Sequence, residues 1–148
     1  METIRTKYLG ELRAQSEHVK SGVMIMSDAP IDNHGKGESF SPTDLLAASL
    51  GICMMTVMGI GAQTHNIFYE IVSCKVTKIM AANPRRVSEV VVEFNMGDQL
   101  YSQKEKMILV NTAKTCPVSL SLHPDLKQTV SFQFIDELIR TFNFILQF

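Results

Sequence analysis

The pattern of hydrophobic and polar positions is dominated by one apolar segment, SPTDLLAASLGICMMTVMGIGA, which runs from Ser41 to Ala62. Its apolar residues recur at helical spacing in two adjacent stripes, one of Leu46, Leu50, Cys53, Val57 and Ile60 and the other of Leu45, Ala48, Ile52 and Met55. Ser41 suits the N-cap, Pro42 suits the first helical position, and Asp44 places a negative charge in the first turn. We therefore predict a long helix that is apolar on nearly every side, as in a core or a subunit interface.

A membrane span is the alternative for this segment. Residues 45–62 are 18 consecutive uncharged residues, which is near the lower length limit for a transmembrane helix. Ser49, Thr56 and three glycines dilute its hydrophobicity, and no basic cluster flanks it to set an orientation. We therefore expect a buried central helix and no membrane association.

Strands are predicted on both sides of the helix, at residues 4–13, 23–26, 68–80, 87–96 and 127–134. Gly97 and Asp98 are expected to end the fourth of these strands, and the turn-rich residues 28–38 are expected to form an exposed loop. This mixture of strands and helices predicts the α+β class.

Two further helices are predicted in the second half of the chain. Ser102 and Glu105 have the spacing of a capping box for a helix from about Gln103 to Lys114. Pro117 is expected to begin a short helix after it. We assign residues 1–134 to one domain and residues 135–148 to an amphipathic tail with helical spacing.

Composition narrows the class of protein further. The chain has 148 residues, 45% of them hydrophobic and 20% charged, with a net charge of −1. This balance provides no general attraction to nucleic acid or to an anionic membrane. The N-terminal sequence METIRTKYLGELR has no apolar core of a signal peptide, so we expect a reducing, cytoplasmic location.

Three widely spaced cysteines, Cys53, Cys74 and Cys116, are the candidates for chemistry. Cys53 lies on an apolar helix stripe, where a thiol is inert unless a cation stabilises its thiolate, so core packing and catalysis both remain open. Cys116 precedes Pro117 at a helix N-cap, where backbone N–H groups favour a thiolate; the alternative is a residue that merely ends a helix. Cys74 lies between Val72 and Val76 in a strand and reads as core.

Other chemistries find little support in the spacing. Cys53 and Cys116 are 63 positions apart, and His18, His34, His65 and His123 are scattered. A structural zinc site needs paired ligands at short spacing, so we expect no metal. Neither a hydrolase nucleophile motif nor a phosphate-binding loop is present in the sequence.

Two cysteine-containing blocks resemble the OsmC/Ohr family of thiol peroxidases. They are FSPTDLLAASLGIC, which continues through MMTVMGIGAQTHNI, and TCPVSLSLHP at residues 115–124. The segments YLGELR, His18–Gly22, SDAPIDNHGKG and NPRR occur in the family's order. The resemblance covers roughly residues 7–134 and leaves the tail outside.

The resemblance implies a fold and a reaction. The fold is an intertwined homodimer with a curved antiparallel sheet around a long central helix, and its active sites take residues from both subunits. The reaction is reduction of an organic hydroperoxide by Cys53, with Cys116 as the resolving thiol, an external dithiol as reductant and no cofactor. Arg13 is the arginine that best matches the one holding Cys53 as thiolate, and Arg5 matches less well.

The sequence departs from the family at one position. Many members have a glutamate ten residues before the helix cysteine, where this chain has Thr43. We expect the adjacent Asp44 to replace it as partner of Arg13, with Glu38 as the more distant option. Two alternatives therefore stay open: a dimer that binds a small apolar ligand without turnover, and a thiol redox sensor.

Overall fold

The protein was analysed as a computed structural model, which describes residues 1–135 and the backbone of residues 142–147. The chain forms two compact units, residues 1–46 and residues 47–148. This boundary lies within the central helix. The α+β class is confirmed.

The first unit contains an antiparallel sheet of three strands in the order β1-β2-β3. These strands are β1 (Ile4–Gly10), β2 (Arg13–His18) and β3 (Met24–Asp28). Predicted residues 4–13 thus span two strands, because Glu11 and Leu12 adopt positive φ and turn the chain. Asp28, predicted in an exposed loop, is the last residue of β3 and is only 1% exposed.

The central helix α1 (Pro42–His65) confirms the longest predicted element. Ser41 and Asp44 form its N-terminal cap: the Asp44 amide donates to Ser41 Oγ at 3.1 Å, and the Ser41 amide donates to Asp44 Oδ2 at 2.8 Å. Asn66 follows the helix with φ of 55°, the left-handed conformation that ends many helices.

The buried face of α1 differs from the predicted stripes. Its buried residues are Ala47, Leu50, Gly51, Met54, Met58 and Ala62. Leu46, Ile52 and Ile60, each placed in a predicted stripe, are instead exposed, Ile52 to 63%. The two stripes therefore do not identify the buried face, although Leu50 belongs both to one of them and to that face, because a helix that is apolar all round has no polar face to mark the other side.

The second sheet has four strands in the order β4-β5-β6-β7. They are β4 (Ser73–Ala82), β5 (Arg85–Leu100), β6 (Lys127–Ile135) and β7 (Phe142–Gln147). The pairs β4–β5 and β6–β7 are antiparallel, but β5 and β6 are parallel, so the expected purely antiparallel sheet is replaced by a mixed one. A parallel pair needs a long crossover, which the helices α2 (Gln103–Ala113) and α3 (Pro117–Ser121) provide.

The predicted end of the fourth strand was also wrong. Strand β5 continues through Gly97 to Leu100 instead of ending at Gly97. Gly97 has φ of 74°, and a Cβ there would lie 2.4 Å from the Ile71 carbonyl oxygen, so glycine allows the strand to bend past this carbonyl.

The tail predicted as helical forms strand β7 over residues 142–147 and pairs with β6. Its sequence FNFILQ is rich in aromatic and β-branched residues, which favour strands, and β6 offers an edge for pairing. The remainder of the predicted tail helix, residues 136–141 and 148, lies outside the described residues.

The hydrophobic core lies in the second unit, where α1, α2 and the inner faces of β5 and β6 supply its fully buried side chains. Val90, Val92 and Phe94 point inward as predicted, and the Phe94 ring stacks on Phe132 with centroids 5.1 Å apart. Helix α2 begins with the predicted capping box of Ser102 and Glu105. This core holds one face of α1 in place and thereby positions Cys53.

Candidate active site

Two of the predicted site residues are brought together in the second unit. Cys53 lies in the middle of α1 and is half-buried, while Cys116 precedes α3 and is completely buried. Both are free thiols, and their side chains are in hydrogen-bonding contact. Residues 63 positions apart in the sequence thus form a thiol pair inside one packed unit.

Cys116 is the N-cap of α3, as predicted. Its sulfur accepts a hydrogen bond from the Ser119 amide at 3.4 Å. The N-cap position was expected to favour the Cys116 thiolate, but the protonated thiol is favoured instead. Burial, followed by the hydrogen bond with Cys53, raises the pKa of Cys116 to about 11 and outweighs the backbone amides of Ser119 and Val118, which lower it. Cys116 therefore keeps its proton near neutral pH.

Cys74 packs against another part of α1. Its sulfur lies 3.6 Å from Met55 Sδ and 3.1 Å from the position that a Cβ at residue 51 would occupy. Burial raises the pKa of this thiol. These contacts support the interpretation of Cys74 as a packing residue.

The apolar residues near Cys53 on α1 differ in how deeply they are buried. Met54 is completely buried in the core, Met55 and Val57 are partly buried against it, and Ile52 is exposed. Since Met54 is buried in the core and Ile52 is exposed, Met55 and Val57 are the partly buried apolar neighbours of Cys53 along this helix.

Arg13 belongs to a charged cluster in the first unit. Its Nη2 forms an ion pair with Glu38 and lies 3.4 Å from Asp28 Oδ2. Asp28 Oδ2 also accepts a hydrogen bond from the Glu38 amide at 3.0 Å. Lys36 pairs with Glu11 and helps to hold the same loop against the turn between β1 and β2.

Asp44, which we predict as the partner of Arg13, is engaged in the cap of α1 through Ser41. The ion-pair partners of Arg13 are Glu38, the more distant of the two predicted options, and Asp28, which the sequence analysis missed. Arg5 is placed elsewhere, beside Glu2 and Glu17. The sequence feature that could have identified Asp28 as a buried partner is its position at the end of an apolar strand, just before a turn.

No group of three or more potential metal-ligating side chains occurs within residues 1–135. The same part of the chain contains one helix, α1, that is long and apolar enough to cross a membrane; 33% of its most apolar 18-residue window is buried. Central helices of soluble proteins have the same length and composition, so this property by itself is weak evidence.

The fold and the thiol pair define an α+β protein with two juxtaposed cysteines, one on a central helix and one at a Cys-Pro helix start. The profile of the OsmC-like protein family matches residues 35–131. The chain belongs to this family. Among curated proteins, none matches the chain.

Solved structures agree with the family assignment. A protein from Psychrobacter arcticus 273-4, provisionally described as an osmotic stress induced and detoxification response protein, is 48% identical, with 89% of this chain and 96% of that chain covered and a TM-score of 0.85. The organic hydroperoxide resistance protein OsmC of Legionella pneumophila is 19% identical over 89% and 97% of the two chains, with a TM-score of 0.70. An organic hydroperoxide resistance protein of Elizabethkingia anophelis is 15% identical over 89% and 96%, with a TM-score of 0.67. The last two similarities concern the fold.

Proposed function

We propose that the protein is a thiol-dependent peroxidase that reduces organic hydroperoxides to alcohols. The observation that supports this proposal best is the contact between Cys53 and Cys116, two free thiols from remote parts of the chain. Solved structures of the same fold that are named organic hydroperoxide resistance proteins support it as well.

The two thiols would take different roles in the reaction, Cys53 as the peroxidatic thiol and Cys116 as the resolving one. In the first step the Cys53 thiolate attacks the distal oxygen of R–O–O–H, the O–O bond breaks, and the alkoxide takes a proton and leaves as the alcohol. Cys53 becomes a sulfenic acid. Cys116 then attacks the Cys53 sulfur, the S–S bond forms and water leaves. An external dithiol reduces this disulfide, becomes a disulfide itself and restores both thiols.

Arg13 is proposed to favour the thiolate of Cys53 in the homodimer that the family resemblance implies, where active sites take residues from both subunits. A guanidinium stays protonated at all working pH values and is therefore a dependable cation. Its carboxylate partners, Glu38 and Asp28, take the part that the sequence analysis gave to Asp44. Organic hydroperoxides, a dithiol reductant and a second copy of the chain are the proposed partners, and the proposed location is the cytoplasm.

Replacement of each cysteine tests the mechanism. We expect Cys53→Ser to abolish turnover of cumene hydroperoxide with a dithiol reductant. We expect Cys116→Ser to complete one reduction and then stop as a Cys53 sulfenic acid, because the resolving thiol is missing. Consumption of the peroxide and the mass of the trapped protein are the measurements.

Cys74→Ala is the matched control for these variants, because this third cysteine packs against α1 outside the thiol pair. It should retain turnover. Wild-type protein that reduces no organic hydroperoxide with several different dithiols would contradict the proposed activity.

A thiol redox sensor is the second candidate, and the raised pKa of Cys116 favours it. A thiol that stays protonated near neutral pH is a slow nucleophile toward a sulfenic acid, so oxidised Cys53 would persist. One equivalent of peroxide should then produce a long-lived sulfenic acid with slow recycling. Stopped-flow kinetics of disulfide formation separates the sensor from the enzyme.

A further inference from the structure

The carboxylates beside Arg13 occupy very different environments. The Glu38 side chain is 63% exposed, whereas the Asp28 side chain is 1% exposed. An ion pair at the surface is screened by water and salt and contributes little, typically about 0–1 kcal/mol in measured cases. A buried pair is screened much less, so the contact of Arg13 with Asp28 is the one that can hold its position in salt.

Asp28 also organises the loop that carries Glu38. Its Oδ2 accepts the Glu38 amide at 3.0 Å, and the backbone near Lys36 donates to the same carboxylate. These backbone hydrogen bonds and Arg13 hold the pKa of Asp28 below its usual range, although burial opposes them. Asp28 is therefore an ionised, buried anchor shared by the loop and by the guanidinium.

The pairing between Arg13 and Asp28 is half complete. Nη2 of Arg13 lies 3.4 Å from Oδ2 of Asp28. Within the described part of the chain, Arg13 Nε and Asp28 Oδ1 are both buried and have no hydrogen-bond partner. An arginine can present Nε and one terminal nitrogen as a fork to the two oxygens of one carboxylate, and that arrangement would satisfy both orphaned atoms at once.

We propose that Asp28 is the positioning residue for Arg13, a role that the family resemblance does not assign to it. In this role the Arg13 guanidinium closes onto the Asp28 carboxylate and forms two hydrogen bonds to it, through Nε and one terminal nitrogen. Glu38 is a surface partner of Arg13 that can be replaced with little effect. This inference rests on the proposed function, since Arg13 matters to turnover only if it serves the Cys53 thiol. It predicts that the buried carboxylate controls the rate and that the exposed one hardly affects it.

Asp28→Asn, Glu38→Gln and the double variant test this proposal with cumene hydroperoxide, an uncharged substrate. Asparagine can still accept the Glu38 amide but lacks the charge that holds Arg13. We expect kcat/KM to fall about tenfold to a hundredfold in Asp28→Asn, in line with loss of a hydrogen bond to a charged group. Glu38→Gln should lose less than about fivefold. Glu17→Gln, which removes the Arg5 partner on the same strand as Arg13, is the matched control and should retain the wild-type rate.

Salt dependence separates positioning from a merely structural effect. Between about 0.05 and 0.5 M NaCl the wild-type rate should change little, because the holding pair is buried. In the Asp28→Asn background only Glu38 remains for Arg13, so the rate should fall with salt and Glu38→Gln should now cost more than it does alone. A purely structural role for Asp28 would lower the rate equally at every salt concentration.

Each result decides the proposal. A Glu38→Gln loss as large as that of Asp28→Asn, or an Asp28→Asn rate that is insensitive to salt, overturns it. If Asp28→Asn does not fold, the wild type and Glu38→Gln decide: a steep fall of the wild-type rate with salt overturns the proposal, and a flat profile in both supports it.

If the wild-type protein shows no peroxide turnover, the proposed function fails, and a second measurement is needed to test the role of Asp28. The same variants are then compared by the rate at which iodoacetamide alkylates Cys53, located by peptide mass. This rate reports the electrostatic environment of that thiol without peroxide chemistry, and it should follow the same order among the variants if Asp28 positions Arg13.

Discussion

At the scale of single residues, the environment of Cys116 shows how two local effects compete. The N-cap position aims the Ser119 amide at its sulfur and favours the thiolate. Complete burial and the neighbouring Cys53 thiol favour the protonated form more strongly, so the pKa of Cys116 rises to about 11. Helix capping is visible in the sequence, but burial depends on elements remote in the chain.

The raised pKa of Cys116 predicts a loss of stability in alkali. The folded pKa of about 11 lies above the ordinary value of 9.0, so the folded state holds this proton more tightly than the unfolded state does. Its stabilising contribution is complete below pH 9 and is lost as the pH rises toward 11. We expect wild type to lose about 1–3 kcal/mol more than Cys116→Ala across this range.

Urea unfolding at several pH values between 8 and 11 measures this difference, with the range taken from the two pKa values. Both proteins retain the same tyrosines and lysines, so their shared titrations cancel. Parallel pH profiles for the two proteins would contradict the predicted contribution of Cys116.

At the scale of elements, the sequence predicts the position of helix α1 correctly but does not show which of its faces is buried. Capping residues and a charge-free run define its length, since these signals are local. The buried face includes Leu50, Gly51 and Met54, whereas Ile52 and Ile60 are exposed. Which apolar face is buried depends on how closely it fits the second sheet, as at Gly51, and hydrophobicity alone does not express that fit.

Two glycines of α1 are predicted to respond oppositely to the same substitution. A Cβ at Gly51 would lie 2.9 Å from Val76 Cγ2 and 3.1 Å from Cys74 Sγ, inside the packed interface with β4. At Gly59 the nearest atom, in the Tyr69 ring, is 3.5 Å away, which is an ordinary contact. We expect Gly51→Ala to destabilise the protein by about 1–2 kcal/mol despite its better helix propensity, and Gly59→Ala to stabilise it by up to about 1 kcal/mol.

Chemical denaturation of the two alanine variants beside wild type gives both values, and each variant serves as the control for the other. A stabilised Gly51→Ala protein would show that β4 does not pack tightly against the helix at this point.

The end of strand β5 and the whole of strand β7 are segments whose secondary structure local sequence rules predicted incorrectly. Gly97 has the residue type of a strand end, yet β5 continues because a left-handed glycine lets the strand bend past Ile71. Residues 142–147 have apolar spacing that also suits a helix, but they pair with β6. In both cases a partner from another part of the chain decides the outcome.

At the scale of the whole molecule, the first unit exposes much apolar surface. Among residues 1–46, all of which are described, Asp28 and Ser41 are the buried ones. Exposed apolar side chains in this unit include Tyr8, Val23, Met24 and Phe40. Large exposed apolar surfaces are typical of interaction sites, and they favour the proposed homodimer.

In the second unit, the exposed face of α1 is the surface that we expect to matter most for dimerisation. Ile52 and Ile60 are 63% and 59% exposed. The double substitution Ile52→Glu and Ile60→Glu would place two carboxylates in an apolar interface, and we expect the dimer to weaken more than tenfold. Sedimentation velocity over a range of concentrations measures this change.

Met107→Glu is the control for the dimer variant, because Met107 is similarly exposed, to 61%, but lies on α2, a different helix. It should leave the assembly unchanged. An Ile52→Glu, Ile60→Glu protein that assembles like wild type would place any dimer contact elsewhere.

The α+β class, the central helix with its caps, most strand positions and the family could all be predicted from the sequence, because they depend on local spacing and on two short cysteine motifs. The folded structure was needed to show which face of α1 is buried, that β5 and β6 run parallel and that Asp28 lies beside Arg13. Each of these depends on contacts between residues far apart in the chain. Burial and the electrostatic effects that follow from it arise only when those residues pack together.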